Sequence, residues 1–500
     1  MLSSVDKFLN SITMYKLVLY GLLVQALYAF LASVFGFLTL SAFSLICSFA
    51  ILLSVTYSLN SFLGKTFNAP INPESAPITA LILFFVLVPP TTLEEASVLV
   101  VGAVLAMLSK YLIAPMRRHI FNPAAFAAFV LGVANFGFAT WWVATPIMFP
   151  ATVILGFLVV RKIRRFSMFF AFLAIALLRS FMVGGFELLL QDLVSWPLIF
   201  LGTIMLTEPF TMPPKRGMQV IYGLGVGLLS VVPFTYGIIY GTPELSLLIG
   251  NIFSYIVSFR RRIMFSLESK REISKGTFEW NFLPGKAFAH IPGQYLEWTL
   301  AHDNSDSRGV RRYFTISSAP HEHSVKIGVR TAGDQSSSFK KALLAMPEGG
   351  HIVAGQLAGD FVLPKNPSEK LAFIAGGIGV TPFRSMISHL LFTKERRDIV
   401  FFYTVKAPDE IAYMDIWEQA EKELGIRVFF VITDPASVPQ DWHGQSGFIN
   451  EAMLAGTSPD FKDRKFYLSG PNAMVESYKK MLRKGGVSSR AIITDYFPGF

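Results

Sequence analysis

Residues 371–382 read LAFIAGGIGVTP, and this segment carries the most informative pattern of the C-terminal half. Five apolar residues lead into a glycine-rich turn, and a helix-forming run follows Pro382. Glycines let the backbone approach a dinucleotide closely, and the N–H groups that begin a helix face its phosphates. We therefore predict a dinucleotide site that is formed by Gly376, Gly377, Gly379, Thr381 and Pro382. A glycine turn of this kind is moderately specific by itself.

The sequence around this turn alternates between strand and helix. Runs typical of strands lie at 371–375, 399–404, 428–432 and 466–468, and runs typical of helices lie at 382–392, 416–424 and 473–483. This alternation predicts a parallel sheet of the nucleotide-binding type, in an α/β domain over residues 367–500.

Residues 263–366 have a shorter period. Alternating runs at 278–282, 295–300, 312–318 and 325–330 predict the antiparallel strands of a small β-barrel. Arg312, Phe314 and Thr315 place a cation, an aromatic ring and a hydroxyl on one strand. Such a strand can hold a flavin, with the cation on a phosphate, the ring against the flavin and the hydroxyl near N5. An ordinary amphipathic strand is the alternative interpretation.

A second phosphate-binding segment follows at 333–339, which opens a predicted helix that extends to Met346. It contains Ser336, Ser337 and Ser338. Free N–H groups and hydroxyls at a helix N-terminus can bind a pyrophosphate. An ordinary serine cap is the alternative.

The order of these motifs carries a family resemblance. Arg-x-Phe-Thr at 312–315, the serine helix start, Gly-Gly-x-Gly-x-Thr-Pro at 376–382, Ser469-Gly470-Pro471 after a strand and the terminus Asp495–Phe500 resemble the ferredoxin–NADP reductase family over some 235 residues. The resemblance implies FAD on the barrel and a nicotinamide docked beside it. NADH and NADPH both stay open: Lys406 and Arg384 could supply charge for a 2′-phosphate, whereas Asp409 and Glu410 favour NADH.

The resemblance also implies roles for single residues. Thr315 would lie near flavin N5, Ser317 and Ser336–Ser338 near FAD, and Gly470 and Pro471 near the second nucleotide. Ser469 would lie beside the hydride path and Phe497 near the isoalloxazine face, so Thr315, Ser469 and Phe497 form the predicted catalytic set. This chain departs from the family at three positions: Phe314 replaces a Tyr, Ser469 a Cys and Asp495 a Glu.

The N-terminal half, residues 1–262, is a different kind of sequence. Spans of about 20 apolar residues are what a hydrocarbon core of about 30 Å requires. We predict ten such spans in a polytopic α-helical membrane domain, near 15–38, 41–59, 76–90, 96–114, 123–140, 147–160, 166–185, 195–207, 217–235 and 245–259.

The charges of this half predict its orientation. Residues 1–262 contain sixteen Lys and Arg against eight Asp and Glu, so most of the net charge of +10 lies here. Apart from Arg179, the basic residues fall at the N-terminus and in every second connection, which places both chain ends in the cytoplasm by the positive-inside rule. We predict a multi-pass protein of the cell (inner) membrane, in contact with lipids. The same distribution argues against a nucleic-acid partner.

Three segments of the membrane half carry a second resemblance. Arg118–Ala124, Trp142–Pro146 and Thr207–Thr211 look like the membrane protein that two respiratory complexes share, the Rnf complex and the sodium-pumping NADH:quinone oxidoreductase. Members of that family carry FMN esterified to a threonine, and Thr145 is the matching position. The Ser-Gly that precedes that threonine in the family is replaced here by Trp142-Val143, so FMN in the membrane domain stays an open expectation.

The residue inventory limits the chemistry. The single cysteine, Cys47, rules out a disulfide framework and a cysteine-ligated iron–sulfur cluster in this chain, and no metal site is predicted. We expect electrons to pass from NAD(P)H through FAD to a membrane flavin, a quinone or a partner redox subunit. A haem-bearing ferric reductase or oxidase is the first rival, but it needs two pairs of histidines and the membrane half has only His119. A transporter or sensor regulated by a flavin domain is the second rival.

Overall fold

The computed structural model describes residues 5, 8–9, 12–67, 74–115, 119–258, 263–303, 305–306, 309–331 and 333–495. It divides into two compact units, with the division between residues 258 and 259. The predicted domain boundary at residue 262 is four residues further on. Residues 259–262 lie outside the described residues.

The N-terminal unit is built from helices. The helices described in full are, in chain order, α1 Met14–Val34, α2 Ala42–Thr66, α3 Ser75–Val86, α4 Leu93–Leu112, α5 Pro123–Val133, α6 Phe149–Ile163, α7 Phe166–Ser195, α8 Leu198–Phe200, α9 Arg216–Val231 and α10 Pro243–Val257. A π-helix, Leu201–Met205, continues α8, and a short hairpin of β1 Thr235–Tyr236 and β2 Ile239–Tyr240 precedes α10.

Four of these helices, α1, α2, α4 and α7, are long and apolar enough to cross a membrane. Each of the ten predicted spans overlaps a described helix, but several of these helices are shorter than a bilayer requires, so the number of spans stays a prediction. Two of the short ones begin at prolines: Asn122 caps α5 and Thr242 caps α10, each through its side-chain oxygen, and a proline follows each cap. Proline suits this first helical position because its missing N–H would be unpaired there anyway.

The C-terminal unit begins with a six-stranded antiparallel sheet. Its strands are β3 Ile263–Ser274, β4 Thr277–Pro284, β5 Tyr295–Thr299, β6 Arg311–Thr315, β7 Val325–Arg330 and β8 His351–Ala358, in the order β6-β5-β8-β3-β4-β7. The sheet curls so far that Ser317 N, just after edge strand β6, donates to the carbonyl of Lys326 in the other edge strand, β7 (2.8 Å). Helix α11, Ser338–Ala345, packs Phe339 and Leu343 into the core of this sheet.

A parallel sheet follows it. Strands β9 Leu371–Gly376, β10 Ile399–Val405, β11 Arg427–Ile432, β12 Gln445–Ser446, β13 Lys465–Ser469 and β14 Ile492–Thr494 lie in the order β12-β11-β10-β9-β13-β14. The helices are α12 Thr381–Thr393, α13 Met414–Leu424, α14 Glu451–Thr457 and α15 Asn472–Lys484. The predicted strand–helix alternation is therefore present, and the two central strands β9 and β10 are buried along their whole length.

Candidate functional site

The glycine turn lies at the carboxyl end of β9, where a 3₁₀ turn, Gly377–Val380, leads into α12. A Cβ on Gly379 would lie 2.5 Å from both the carbonyl oxygen of Ser469 and the Cα of Gly470. A Cβ on Gly376 would collide with Met474 and lie 3.1 Å from Pro471. Two predicted nucleotide-binding segments, 376–382 and 469–471, are thus in direct contact, and glycine is needed for that contact.

Gly377 has a positive φ of 51° and lies open on one side. The nearest side-chain atom to a Cβ there would be Nη1 of Arg330, at 3.8 Å. Arg330, at the end of β7, forms an ion pair with Glu410, whose carboxylate also accepts from the backbone N–H of Lys406 (3.2 Å). A cation therefore lies beside the exposed backbone of the turn. The sequence motifs did not point to Arg330, because it is the last residue of a strand that has no motif of its own.

The start of α12 also contacts the antiparallel sheet. Thr381 donates to the carbonyl of Ile378 (3.2 Å), and its methyl group would lie 2.8 Å from a Cβ on Gly328 of β7. Pro382 is buried at the same helix start. The dinucleotide motif is consequently packed on the sheet that carries the predicted flavin strand.

Two of the residues that depart from the family pattern are partners here. Ser469 Oγ is 3.2 Å from a carboxylate oxygen of Asp495, to which it donates. Ser469 is 2 % exposed, so this bond orients a hydroxyl that would otherwise be buried beside the glycine turn. Phe497, the third predicted catalytic residue, lies outside the described residues.

The predicted flavin strand is β6. Arg312, buried in this strand, directs one guanidinium nitrogen to the carboxylate of Asp306 (3.1 Å). The other oxygen of Asp306 accepts from the backbone N–H of Ser338 at the start of α11 (3.2 Å), and Ser338 Oγ accepts from the N–H of Asp306 (2.8 Å). His302 Nε2 is 3.0 Å from the same Ser338 hydroxyl. Asp306 therefore joins Arg312 to the serine helix start.

This convergence fits a phosphate group. Asp306 places a carboxylate between a guanidinium and a helix N-terminus, which is the position that an anion prefers. The sequence predicts a pyrophosphate at this position, and in the structure the carboxylate of Asp306 occupies it. Ser337 is the N-cap of α11 and Ser336 lies just before it. The sequence did not predict a role for Asp306 or His302, because neither residue lies in a motif that is linked to helix α11.

The remaining predicted flavin residues lie along the same strand. Phe314 is half-buried and packs its ring 5.8 Å from that of Phe339. Thr315 and Ser317 are buried at the end of β6 and just after it. The alternation that suggested a ligand-binding strand is thus partly used for packing.

Buried charges lie where the two sheets of this unit meet. Burial opposes the ionisation of Glu322, but Arg384 outweighs it and holds the pKa of that carboxyl below its ordinary value. Burial and the neighbouring Glu279 carboxylate raise the pKa of the Tyr413 phenol well above its ordinary value. Burial lowers the pKa of His290, whose Nε2 is 3.0 Å from the carbonyl of Ser318. These shifts favour a neutral Tyr413 and a charged Glu322 at neutral pH.

These features define a class of protein. In this class a glycine turn of the dinucleotide-binding kind packs on a curled antiparallel sheet, and the sheet offers a position for an anion between an arginine and a helix N-terminus. Residues 373–480 match the oxidoreductase NAD-binding domain family. The chain is 29% identical over 207 residues to the stachydrine N-demethylase reductase subunit Stc4 of Rhizobium meliloti, covering 41% of this chain and 58% of that protein. It is 28% identical over 201 residues to a glycine betaine monooxygenase reductase subunit of Pseudomonas aeruginosa, covering 40% and 54%.

Among solved structures, the flavohem-like FAD/NAD-binding domain of a nitric oxide dioxygenase from Vibrio cholerae aligns with a TM-score of 0.42 and 21% identity, over 48% of this chain and 99% of that one. The chain spans a little over half the length of the two curated relatives above. The C-terminal unit is an FAD- and NAD(P)H-dependent oxidoreductase module, and it is similar to modules of the ferredoxin–NADP reductase type. The prediction of an enzyme that uses these two cofactors is confirmed.

Proposed function

We propose that this protein is a membrane-bound NAD(P)H-dependent flavin oxidoreductase. It takes electrons from NAD(P)H through FAD and passes them to a membrane flavin, a quinone or a partner protein. The observation that carries the proposal is the position of the glycine turn, which packs on Ser469 and Gly470 on one side and on Gly328 of the flavin-binding sheet on the other. This arrangement brings a pyridine nucleotide and a flavin together at one seam, by which we mean the contact between the start of α12 and the antiparallel sheet.

The residues have separate tasks in this proposal. Arg312 and the N–H of Ser338 hold the FAD pyrophosphate, and Phe314, Thr315 and Ser317 line the flavin along β6. Gly377 and Arg330 receive the phosphates of the second nucleotide, and Ser469 lies beside its nicotinamide. Bound FAD supplies an acceptor for hydride that can release electrons singly, while the protein orients donor and acceptor and excludes water.

The choice between NADH and NADPH depends on the end of β10. The sequence allowed Arg384 as a cation for a 2′-phosphate. In the structure Arg384 is buried against Glu322, so it does not supply that cation. Lys406 is exposed there, beside Glu410 and Asp409. The acidic pair supports NADH as the preferred donor.

We propose that the N-terminal unit lies in the cell membrane with both ends in the cytoplasm. Four apolar helices among the described residues are long enough to cross a bilayer and support this. Two contacts between the segments that connect predicted spans also support it. His119 is 3.1 Å from Glu208, and both lie in connections that the charge pattern puts inside. Trp141 donates to Glu244 (3.0 Å), and both lie in or beside connections that it puts outside.

Thr145 is the proposed attachment point for an FMN in the membrane unit. Its hydroxyl is buried, has no hydrogen-bond partner among the described residues, and lies shortly before α6. A buried hydroxyl without a partner needs an explanation, which a phosphoester would provide. Trp142 and Val143 stand where the membrane family that this segment resembles has Ser-Gly.

The test is an anaerobic titration of the purified full-length protein with NADH and with NADPH, followed by flavin counting and acid release. One acid-releasable FAD per chain, reduced stoichiometrically by the nucleotide, would support the reductase with an external acceptor. A second, acid-resistant flavin that is absent from Thr145→Ala would establish an internal relay. Protein that stays colourless after FAD is supplied would refute the proposal, and nucleotide binding without flavin reduction would favour the sensor.

A further inference from the structure

Arg384 joins the nicotinamide motif to the flavin strand. It lies three residues after Thr381, in the first turn of α12. Its Nη1 donates to the backbone carbonyl of Ser317, just after β6, at 2.9 Å, and pairs with the carboxylate of Glu322. The side chain is 6 % exposed, so this charge is held inside the seam.

A second contact runs parallel to the first. The hydroxyl of Ser385, the next residue along α12, donates to the carbonyl of Ser318 at 2.6 Å. Two consecutive residues of the helix therefore hold two consecutive carbonyls of the segment that directly follows the flavin strand β6. This fixes the translation of α12 along the strand as well as its distance from it.

Glu322 anchors the other end of the connection. Its carboxylate accepts from the backbone N–H of Ala319 (2.6 Å) and pairs with Lys326 of β7 (2.9 Å). Glu322 thus stabilises the turn between β6 and β7, the two edge strands of the flavin sheet. The guanidinium of Arg384 also lies 5.5 Å from the centre of the Tyr413 ring, which covers it from the nucleotide domain.

We propose that Arg384, acting through Ser317 and Glu322, is a positioning residue that sets the register between the nicotinamide and the flavin. The inference rests on the proposed seat of the flavin on β6. Arg384 need not touch either cofactor. Arg384 is expected to affect hydride transfer from the nicotinamide to the flavin. The rate of this step depends steeply on the distance and angle between donor and acceptor, and a displacement of about 1 Å changes such a rate by about a hundredfold.

Other polar pairs in this unit provide a control. Lys275, in the turn after β3, and Asp409, beyond β10, also connect the two parts of the unit, but both are exposed (75% and 51%) and no backbone of the flavin strand is involved in their ion pair. If any bridge between the two parts were sufficient, removing Lys275 would have the same effect as removing Arg384.

The experiment compares Arg384→Met, Arg384→Lys and Lys275→Met in the full-length, FAD-loaded protein. Stopped-flow flavin reduction over a series of NADH concentrations separates the limiting rate constant from the apparent Kd for NADH. Arg384→Met is expected to lower the limiting rate constant by about 10- to 100-fold with the apparent Kd changed by less than about threefold. Arg384→Lys should recover part of the rate, and Lys275→Met should match the wild type.

An unchanged limiting rate in Arg384→Met, or a loss confined to the apparent Kd, would overturn the inference. If Arg384→Met does not retain FAD, Ser385→Ala and Glu322→Gln decide, each with an expected loss of roughly threefold or more in the limiting rate. Thr315→Ala separates this inference from the proposed function. If neither Thr315→Ala nor Arg384→Met slows flavin reduction, the proposed flavin site on β6 is wrong. If only Thr315→Ala slows flavin reduction, the flavin site stands and the positioning role of Arg384 is refuted.

Discussion

A side-chain carbon on Gly379 would lie 2.5 Å from the carbonyl oxygen of Ser469. Real Cβ atoms do not approach a carbonyl oxygen so closely, so the glycine turn and the end of β13 are in backbone-to-backbone contact. The two segments come from strands that are neighbours in the sheet and more than 90 residues apart in the chain. The contact between these two predicted nucleotide-binding segments therefore depends on the absence of a side chain at Gly379.

Gly379→Ala is expected to weaken nucleotide binding without removing FAD. The added methyl group must push Ser469 and Gly470 away, and overpacking of this kind costs about 1–3 kcal/mol, or at least about fivefold in affinity. The KM for NAD(P)H should rise by at least about that factor. Gly456→Ala is the matched control, because nothing lies within 4 Å of a Cβ there and alanine suits its helix. Equal KM values in the two variants would contradict the packing argument.

Asp306→Asn is expected to tighten FAD binding. The carboxylate of Asp306 must leave Arg312 and the N–H of Ser338 before a pyrophosphate can take its place. A neutral amide competes less well for these donors, while the backbone bond from residue 306 to Ser338 Oγ is kept. We expect the Kd for FAD to fall by about three- to tenfold, measured by quenching of FAD fluorescence on apo-protein.

Asp303→Asn is the control for this change, since Asp303 is an exposed acid of the same loop. Asp303→Asn removes one negative charge from the same loop but leaves the carboxylate of Asp306 between Arg312 and the N–H of Ser338. Weaker FAD binding in Asp306→Asn would mean that Asp306 builds the seat instead of occupying it.

The parallel sheet was largely predictable from the sequence, and the antiparallel sheet only in part. Strands buried on both faces are continuous apolar runs, and β9 and β10 were predicted within a residue or two of their observed ends. Strands β3 and β8 were missed. β3 is long, mostly polar in its second half and interrupted by two register shifts against β4, and β8 contains Gln356 at a positive φ of 51°. Each irregularity breaks the period-two pattern.

The site was predictable where a local motif defines it. The glycine turn and the serine helix start are consecutive residues whose chemistry is visible in the sequence. Asp306, Arg330 and Glu322 act through partners 32, 80 and 62 residues away, respectively. Arg384 was considered a cation for a 2′-phosphate, and that interpretation was wrong because its charge is neutralised inside the seam.

Arg464→Met is expected to destabilise the nucleotide domain. The Arg464 side chain is 2% exposed and makes paired hydrogen bonds to Asp398 (2.8 and 3.0 Å) and to Asp460 (2.8 and 3.0 Å). Breaking a buried pair costs about 3–5 kcal/mol, and about 2–4 is expected here because both carboxylates are partly exposed. The temperature at which FAD is released should fall by roughly 5–15 °C. Lys465→Met, which removes a half-exposed pair with Glu369, should shift it by no more than about 3 °C.

The same cluster predicts a loss of stability in acid. Hydrogen bonds from Arg464 and then Lys370 hold the pKa of Asp460 far below its ordinary value of 3.8. A carboxyl whose pKa is depressed on folding contributes stability that is complete above 3.8 and is lost as the pH falls below that value. The temperature of FAD release should therefore fall less steeply from about pH 6 to about pH 3 in Asp460→Asn than in the wild type. If the two curves of release temperature against pH are parallel, ionisation of Asp460 does not contribute to stability.

The orientation of the N-terminal unit can be tested because the chain has one cysteine. Cys47→Ser provides a background into which single cysteines are introduced at Glu94 and Lys215, two exposed positions at or next to the starts of α4 and α9. The charge pattern puts Glu94 outside and Lys215 in the cytoplasm. A membrane-impermeant maleimide applied to intact cells should label Glu94→Cys and should reach Lys215→Cys only after permeabilisation. Labelling of both from outside would place the positive connections, and with them the nucleotide site, away from the cytoplasmic NAD(P)H on which the proposed reaction depends.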